Sequence, residues 1–138
     1  RERRILMFAT GRCLCGTISF TVAEPPIRMA QCHCEDCRRL TGTGHIVQAF
    51  FKTDDLTVSG QPAVFENVAD SGSERRRSFC PTCGSTLFSE RNAAPGVIGI
   101  AIGTFDNSDW FNPAMVLYAG QRPQWDPELP GVEAHERM

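Results

Sequence analysis

Alternation of hydrophobic and polar positions along the chain predicts a protein made mostly of β-strands. In TISFTV (17–22), Ile18, Phe20 and Val22 fall on one face of a strand, with polar residues between them. Further strand candidates are HIVQAFF (45–51), LTVSG (56–60), AVFEN (63–67), RSFC (77–80), TLFSE (86–90), GVIGIAIGTF (96–105) and AMVLYAG (114–120). Proline and glycine residues separate these segments. The pattern therefore predicts one small, mostly β domain.

Helical signal is confined to CEDCRRLTG (34–42), which predicts one short helical turn that ends at Gly42. The segment after Trp125, DPELPGVEAHERM, is rich in proline and is predicted to be irregular. We interpret residues 1–6 as an upstream extension outside the fold, with Met7 as the natural start. The predicted domain then covers residues 7–138.

Composition and charge narrow the class of protein. Hydrophobic residues make up 41% of the 138 residues, which is typical of a globular chain able to bury a core. No apolar run approaches the roughly 20 residues needed to span a bilayer, and the N-terminal stretch lacks the apolar core of a signal peptide. We therefore expect a cytoplasmic protein with reduced thiols and no membrane partner. The formal net charge of −2 argues against nucleic acid as the main partner.

Seven cysteines carry the chemistry, and they fall into three groups. The groups are Cys13 with Cys15, then Cys32, Cys34 and Cys37, and finally Cys80 with Cys83. An odd number leaves one cysteine over in a disulfide framework, and the expected compartment is reducing, so metal binding is favoured.

The stretch CPTCG (80–84) predicts half of a structural zinc site. A C-x-x-C turn directs two sulfurs at one metal, and Gly84 permits the positive φ that follows the turn. Cys13 and Cys15 are the natural second pair, because alternate residues of an extended strand point to one side. Four thiolates would saturate this zinc. A redox role for Cys80 and Cys83 is the alternative, although that motif usually accompanies a βαβ unit.

The stretch CHCEDC (32–37) predicts a second zinc site of a different kind. Cys32, Cys34 and Cys37 can converge on one Zn²⁺ and leave its fourth position free for water or a substrate. Zinc held by three thiolates suits an incoming thiol, which stays nucleophilic as a thiolate. His33 could instead supply the fourth ligand. Because it lies between two ligands, we expect its ring to point away.

These cysteine groups, in this order, resemble the glutathione-dependent formaldehyde-activating enzyme family. The matching stretches are TGRCLCGTISF (10–20), CHCEDCRRLTG (32–42), RSFCPTCGSTLF (77–88) and GTFDN (103–107). The resemblance implies a β-rich fold with two zinc ions per chain, one structural and one catalytic. The implied ligands are Cys13, Cys15, Cys80 and Cys83 for the structural zinc, and Cys32, Cys34 and Cys37 for the catalytic zinc.

The implied activity is that of a carbon–sulfur lyase of the S-(hydroxymethyl)glutathione synthase type. It joins glutathione to formaldehyde, or a similar thiol to a related small electrophile, or runs in reverse. Many relatives carry a histidine in a late strand, in a pattern like Pro-x-x-His-Ile, and Met115 stands at that point here. Arg38 follows the last cysteine of the catalytic group and could hold a substrate carboxylate with its bidentate fork.

Two further points stay open on the sequence alone. Arg75, Arg76 and Arg77 could also meet glutathione carboxylates, whereas each of these arginines and Arg38 could equally be a surface residue or bonded to its own loop. A non-catalytic zinc-stabilised module that binds protein or nucleic acid is the main alternative function, and a thiol redox protein is another.

Overall fold

β-Strands account for most of the regular structure in the computed structural model, which describes residues 7–138. The strands are β1 (Ala9–Arg12), β2 (Ser19–Val22), β3 (Arg28–Cys32), β4 (Ile46–Lys52), β5 (Leu56–Ser59), β6 (Ala63–Val68), β7 (Glu74–Phe79), β8 (Thr86–Arg91), β9 (Val97–Ala101), β10 (Met115–Leu117) and β11 (Glu133–Ala134). One α-helix, α1 (Glu35–Thr41), follows β3, and 3₁₀ turns lie at Thr53–Asp55, Ile102–Thr104 and Ala119–Gln121. The predicted mostly β class is confirmed.

Two sheets form the architecture. The smaller sheet has the strand order β1-β2-β5, and the larger has the order β11-β10-β3-β4-β9-β8-β7-β6. All pairings are antiparallel except those of β10, which runs parallel to both β3 and β11. The carboxyl end of β3, where the second cysteine group begins, therefore lies between β4 and β10.

The hydrophobic core lies between the two sheets. The predicted face of β2 is buried, since Ile18, Phe20 and Val22 are all at most 2% exposed. Phe20 of the small sheet packs edge-on against Phe88 of the large sheet, with ring centroids 5.5 Å apart. A second edge-on contact joins Phe20 to Phe105 at 5.2 Å. Aromatic pairs in this geometry add to the stability from burial, so they fix the two sheets against each other.

The other face of the large sheet carries polar residues. Because paired residues of neighbouring strands share a face, the register places Arg28, Phe50, Gly99, Ser89 and Arg77 in one row across five strands. This row crosses the sheet from β3 to β7 and faces away from the core. It forms part of the wall of a cleft.

Four segments differ from the predicted pattern. The strand candidates between 17 and 120 each contain a strand, but β1, β3 and β11 lie outside them. The expected extended strand at 13–15 is wrong: β1 ends at Arg12, and the Gly16 N–H donates to the Cys13 carbonyl at 3.2 Å to close a turn. Leu14 is consequently 81% exposed and does not face an apolar surface.

The predicted helical turn at 34–42 is confirmed. Cys34 is the N-cap of α1, and its sulfur accepts the Cys37 N–H. Gly42 ends the helix in the left-handed conformation at φ 72°, which suits glycine. Residues 1–6, predicted to be an upstream extension, lie outside the described residues. Within residues 7–138, the structure contains no helix with the length and hydropathy needed to cross a lipid bilayer.

Candidate metal centres and the adjoining cleft

The first cluster joins two turns that are far apart in the sequence. Cys13 and Cys15 lie in the turn after β1, and Cys80 and Cys83 lie in the turn between β7 and β8. All four sulfur atoms lie within 4.8 Å of one another. The Cys15 Sγ is 3.7 Å from both Cys13 Sγ and Cys80 Sγ. The structure therefore brings together the four residues predicted to bind the structural zinc.

Backbone amides of these turns point at the sulfurs. The Ile18 N–H donates to Cys13 Sγ at 3.3 Å, and the Thr82 N–H donates to Cys80 Sγ at 3.4 Å. The Ser85 hydroxyl, 3.2 Å from Cys83 Sγ, is the main cause that lowers the pKa of the Cys83 thiol to about 5. Because a hydrogen bond to the charged form favours it, Ser85 stabilises the Cys83 thiolate, the form that binds zinc. The donor set therefore fits a tetrahedral zinc ion.

The second cluster is built from one short segment. Cys32 ends β3, Cys34 caps α1, and Cys37 lies in the first turn of that helix. Their sulfurs lie within 4.8 Å of one another, and Cys34 Sγ is 3.0 Å from Cys37 Sγ. Hydrogen bonds from its two neighbours lower the pKa of the Cys34 thiol, whereas hydrogen bonding within the cluster raises the pKa of Cys37. Three thiolates this close together would repel one another without a cation between them, so this cluster also fits zinc.

His33 lies with a different group of side chains. Its ring is 1% exposed, and its Nδ1 donates to the Gly44 carbonyl at 2.8 Å. The Gln31 side-chain amide lies 3.2 Å from the other ring nitrogen. His45 donates to the Asp126 carboxylate at 2.5 Å, a partner that the sequence did not indicate. Both His33 nitrogens are thus engaged away from the three sulfurs, as expected for a residue between two ligands.

A cleft opens beside the second cluster, on the polar face of the large sheet. It is a narrow recess whose walls come from β3, β4, β7 and β8 and from the start of α1. Cys32, Cys34 and Cys37 all line it, whereas the four cysteines of the first cluster do not. A small molecule in the cleft would therefore reach the second cluster alone.

Positive charge dominates the remaining wall of the cleft. The wall contains Arg28, Arg75, Arg77 and Arg91, whereas Glu90, which also borders the cleft, is paired with Arg76 on the other face of the sheet. Arg75 and Arg91 are paired directly across β7 and β8, where like charges destabilise a sheet. Burial and the charges of its neighbours Arg75 and Arg28 lower the pKa of Arg91. The Nε atoms of the other three have no hydrogen-bond partner among the described residues. Such a wall is suited to an anion.

The structure separates the arginines that the sequence singled out. Arg75 and Arg77 face the cleft, whereas Arg76 points to the opposite face and pairs with Glu66 at 3.0 Å. Arg38 donates from Nε to the His33 carbonyl at 3.3 Å and is absent from the cleft wall. A substrate-binding role for Arg38 therefore stays a prediction without a contact to support it. Its bond to the loop matches the alternative interpretation.

Sequence reasoning missed two arginines and one tyrosine of the cleft. Arg28 lies four residues before Cys32 on the same strand, a spacing that places both on one face. Arg91 ends β8. Tyr118, 3% exposed, has φ 53°, a value that bulky residues rarely adopt. Met115, which stands where many relatives carry histidine, begins β10 and does not line the cleft.

Known proteins are similar to this chain in sequence and in fold. Residues 8–121 match the family described as glutathione-dependent formaldehyde-activating enzyme. The chain is similar to an uncharacterized lyase of Schizosaccharomyces pombe, with 33% identity over 78 residues. That match covers 56% of this chain and 54% of the relative, so the chain spans about half the relative's length.

A crystal structure of a Rhodobacter sphaeroides protein has a similar fold. The two structures superpose with a TM-score of 0.58 at 22% identity, and the match covers 71% of this chain and 88% of the other. At that identity the likeness concerns the fold. The family match extends over most of the chain and includes all seven cysteines. The chain therefore belongs to the glutathione-dependent formaldehyde-activating enzyme family.

Proposed function

We propose that this protein is a zinc-dependent enzyme of the carbon–sulfur lyase type. It adds a glutathione-type thiol to formaldehyde or a related small electrophile, or runs the reaction in reverse. The observation that supports it most is the position of Cys32, Cys34 and Cys37 at an arginine-lined cleft, with no fourth ligand grouped with them in residues 7–138. The family description and the lyase relative agree with this class of reaction.

Each of the two clusters would hold one zinc ion. The cluster of Cys13, Cys15, Cys80 and Cys83 supplies four ligands and would be structural. The three-cysteine cluster supplies three, which is typical of a site that also accepts water or substrate. Zinc bound there would supply Lewis-acid chemistry and keep an incoming thiol in its nucleophilic form.

The cleft itself would orient the thiol. Arg28 and Cys32 are four residues apart on β3, which corresponds to about 13 Å along the strand. A tripeptide-sized thiol of roughly 10 Å could place its sulfur at the cysteine cluster and its carboxylates near Arg28, Arg75 and Arg91. Arginine forks bind carboxylates in a bidentate geometry, so these residues would fix the orientation of the substrate.

The reaction needs little from the protein beyond this orientation. The thiolate sulfur attacks the carbonyl carbon, the C–S bond forms, and the former carbonyl oxygen takes one proton from solvent. Binding both reactants in one site removes most of the entropy cost of bringing them together in solution. We propose that this alignment, in a reducing compartment such as the cytoplasm, is the main contribution of the cleft.

Exchange NMR with glutathione and ¹³C-formaldehyde tests the proposal, because it separates catalysed exchange from the fast uncatalysed background. We expect an exchange rate above background that rises linearly with protein concentration. Cys34→Ser should abolish this excess and reduce the zinc content from two ions per chain to one. Arg76→Gln, on the opposite face of β7, is the matched control and should retain both. Two zinc ions in Cys34→Ser would contradict the assignment.

A further inference from the structure

The cleft contains four arginines, more than the two carboxylates of a glutathione molecule require. The charges of Arg75 and Arg28 both act on Arg91. Arg77 instead reaches the first turn of α1, with its Nη2 3.8 Å from the Asp36 carboxylate. That turn carries Cys34 and Cys37. Arg77 is therefore the cleft arginine that lies beside the cysteine cluster.

The Arg77 side chain is buried and lacks a full partner. It is 6% exposed, and its Nε has no hydrogen-bond partner among the described residues. The 3.8 Å separation from Asp36 exceeds hydrogen-bond length, and the same Asp36 oxygen accepts the Asn67 amide at 3.1 Å. A buried guanidinium in this state is costly unless an anion completes its hydrogen bonds.

A second donor lies next to Arg77. Ser89 is its direct partner across β7 and β8, and both line the cleft. The Gln48 amide donates to the Ser89 hydroxyl at 2.9 Å, which leaves the hydroxyl proton free to donate onward. A side chain at Gly99 would come within 2.9 Å of Ser89 Oγ and 3.0 Å of Phe50. The space above Gly99 is therefore already filled by its neighbours, and the Ser89 hydroxyl and Arg77 lie together at the cleft wall.

We infer that the electrophile carries a carboxylate next to its carbonyl carbon, so that the substrate class is the α-oxo acids. The inference rests on the proposed function and specifies its second substrate. The Arg77 fork and the Ser89 hydroxyl bind the carboxylate, which places the adjacent carbonyl carbon at the cysteine cluster. The thiolate attacks that carbon, the C–S bond forms, and the carbonyl oxygen takes a proton from solvent. When glyoxylate is the acid and glutathione the thiol, the product is the hemithioacetal S-[carboxy(hydroxy)methyl]glutathione.

Two stable thioethers test the inference by binding alone. S-carboxymethylglutathione carries a carboxylate at the position of the predicted one, and S-methylglutathione lacks it. We expect isothermal titration of the zinc-loaded protein to give at least about tenfold tighter binding for the carboxymethyl compound, because a charge-assisted hydrogen-bond pair contributes that much. Arg77→Gln should remove this preference, and Ser89→Ala should reduce it. Arg76→Gln, the neighbour on the other face, should leave it unchanged.

The outcomes distinguish this inference from the proposed function. Equal affinity of the wild-type protein for both thioethers would overturn the α-oxo acid assignment and leave the glutathione assignment intact. Failure to bind either compound would overturn both. If Arg77→Gln does not fold, Ser89→Ala and the wild-type preference still decide the question. Faster addition of glutathione to glyoxylate than to formaldehyde, relative to each uncatalysed rate, is the kinetic result expected.

Discussion

The two cysteine clusters should differ sharply in what they contribute to stability. Cys80 is 0% exposed and belongs to the hydrophobic core, whereas Cys34 is half-buried at the cleft. Replacing Cys80 with serine removes one of the four proposed zinc ligands and buries a hydroxyl in the core. Replacing Cys34 with serine retains the helix cap, because serine is itself a preferred N-cap residue.

The size of each change in Tm follows from the coupling between zinc binding and folding. Zinc present at 1,000 times its dissociation constant stabilises the folded state by about 4 kcal/mol. For a chain of this size, each kcal/mol corresponds to about 3 °C in Tm. We therefore expect Cys80→Ser to lower Tm by about 12 °C or more. Cys34→Ser should lower it by less than about 3 °C, because an ion held by three thiolates and present at only a few times its dissociation constant contributes about 1 kcal/mol.

Thermal unfolding followed by circular dichroism, with zinc release recorded by a colorimetric chelator, checks both values. The wild-type protein should release its first zinc well below Tm and its second together with unfolding. A Tm loss for Cys34→Ser equal to or larger than that for Cys80→Ser would refute the division into a structural and an open site.

Three other outcomes are expected. Gly11→Ala should lower Tm by about 6 °C. A Cβ at this position would contact the Phe20 ring and would lie 2.5 Å from the Thr104 carbonyl oxygen, and such overpacking costs about 2 kcal/mol. An unchanged melting curve would count against the packing described. Arg91→Gln should raise KM for glutathione about tenfold with little change in kcat, and a loss confined to kcat would argue against a binding role. The pKa of Cys83 is lowered from 9.0 to about 5, so the stability from its thiolate is complete above pH 9 and is lost progressively as pH falls to 5. A free energy of unfolding that stays constant between pH 9 and pH 5 would contradict this.

Local spacing explains which parts of the molecule could be predicted from sequence. The alternation of Ile18, Phe20 and Val22 with polar residues is enough to predict a half-buried strand. Cys32, Cys34 and Cys37 lie within six consecutive residues, so their convergence needs no knowledge of the tertiary fold. The partnership of the two distant cysteine pairs was also predicted, although the local conformation assigned to 13–15 was wrong. A turn closed by Gly16 brings the same two sulfurs together.

The cleft wall could not be predicted, because it depends on register between distant strands. Arg28 belongs to β3 and Arg91 to β8, and β4 and β9 lie between them in the sheet. Strand β3 itself escaped prediction because RMAQC lacks a clear alternation of hydrophobic residues. Gln31 of this strand is buried against His33, and Arg28 faces the cleft. The polar residues of β3 therefore occupy buried or cleft-facing positions and do not mark a solvent-exposed face.

The distance along the chain between ligands sets the order in which the two metal sites can assemble. Cys15 and Cys80 are 65 residues apart, whereas Cys32, Cys34 and Cys37 span one short segment. Closing the longer loop costs about 2 kcal/mol more in chain entropy, and it requires both sheets to have formed. The nearby thiols can capture zinc in a chain that has not yet folded. During refolding with limited zinc, the labile site should therefore fill first, and the ion that stabilises the fold should arrive last.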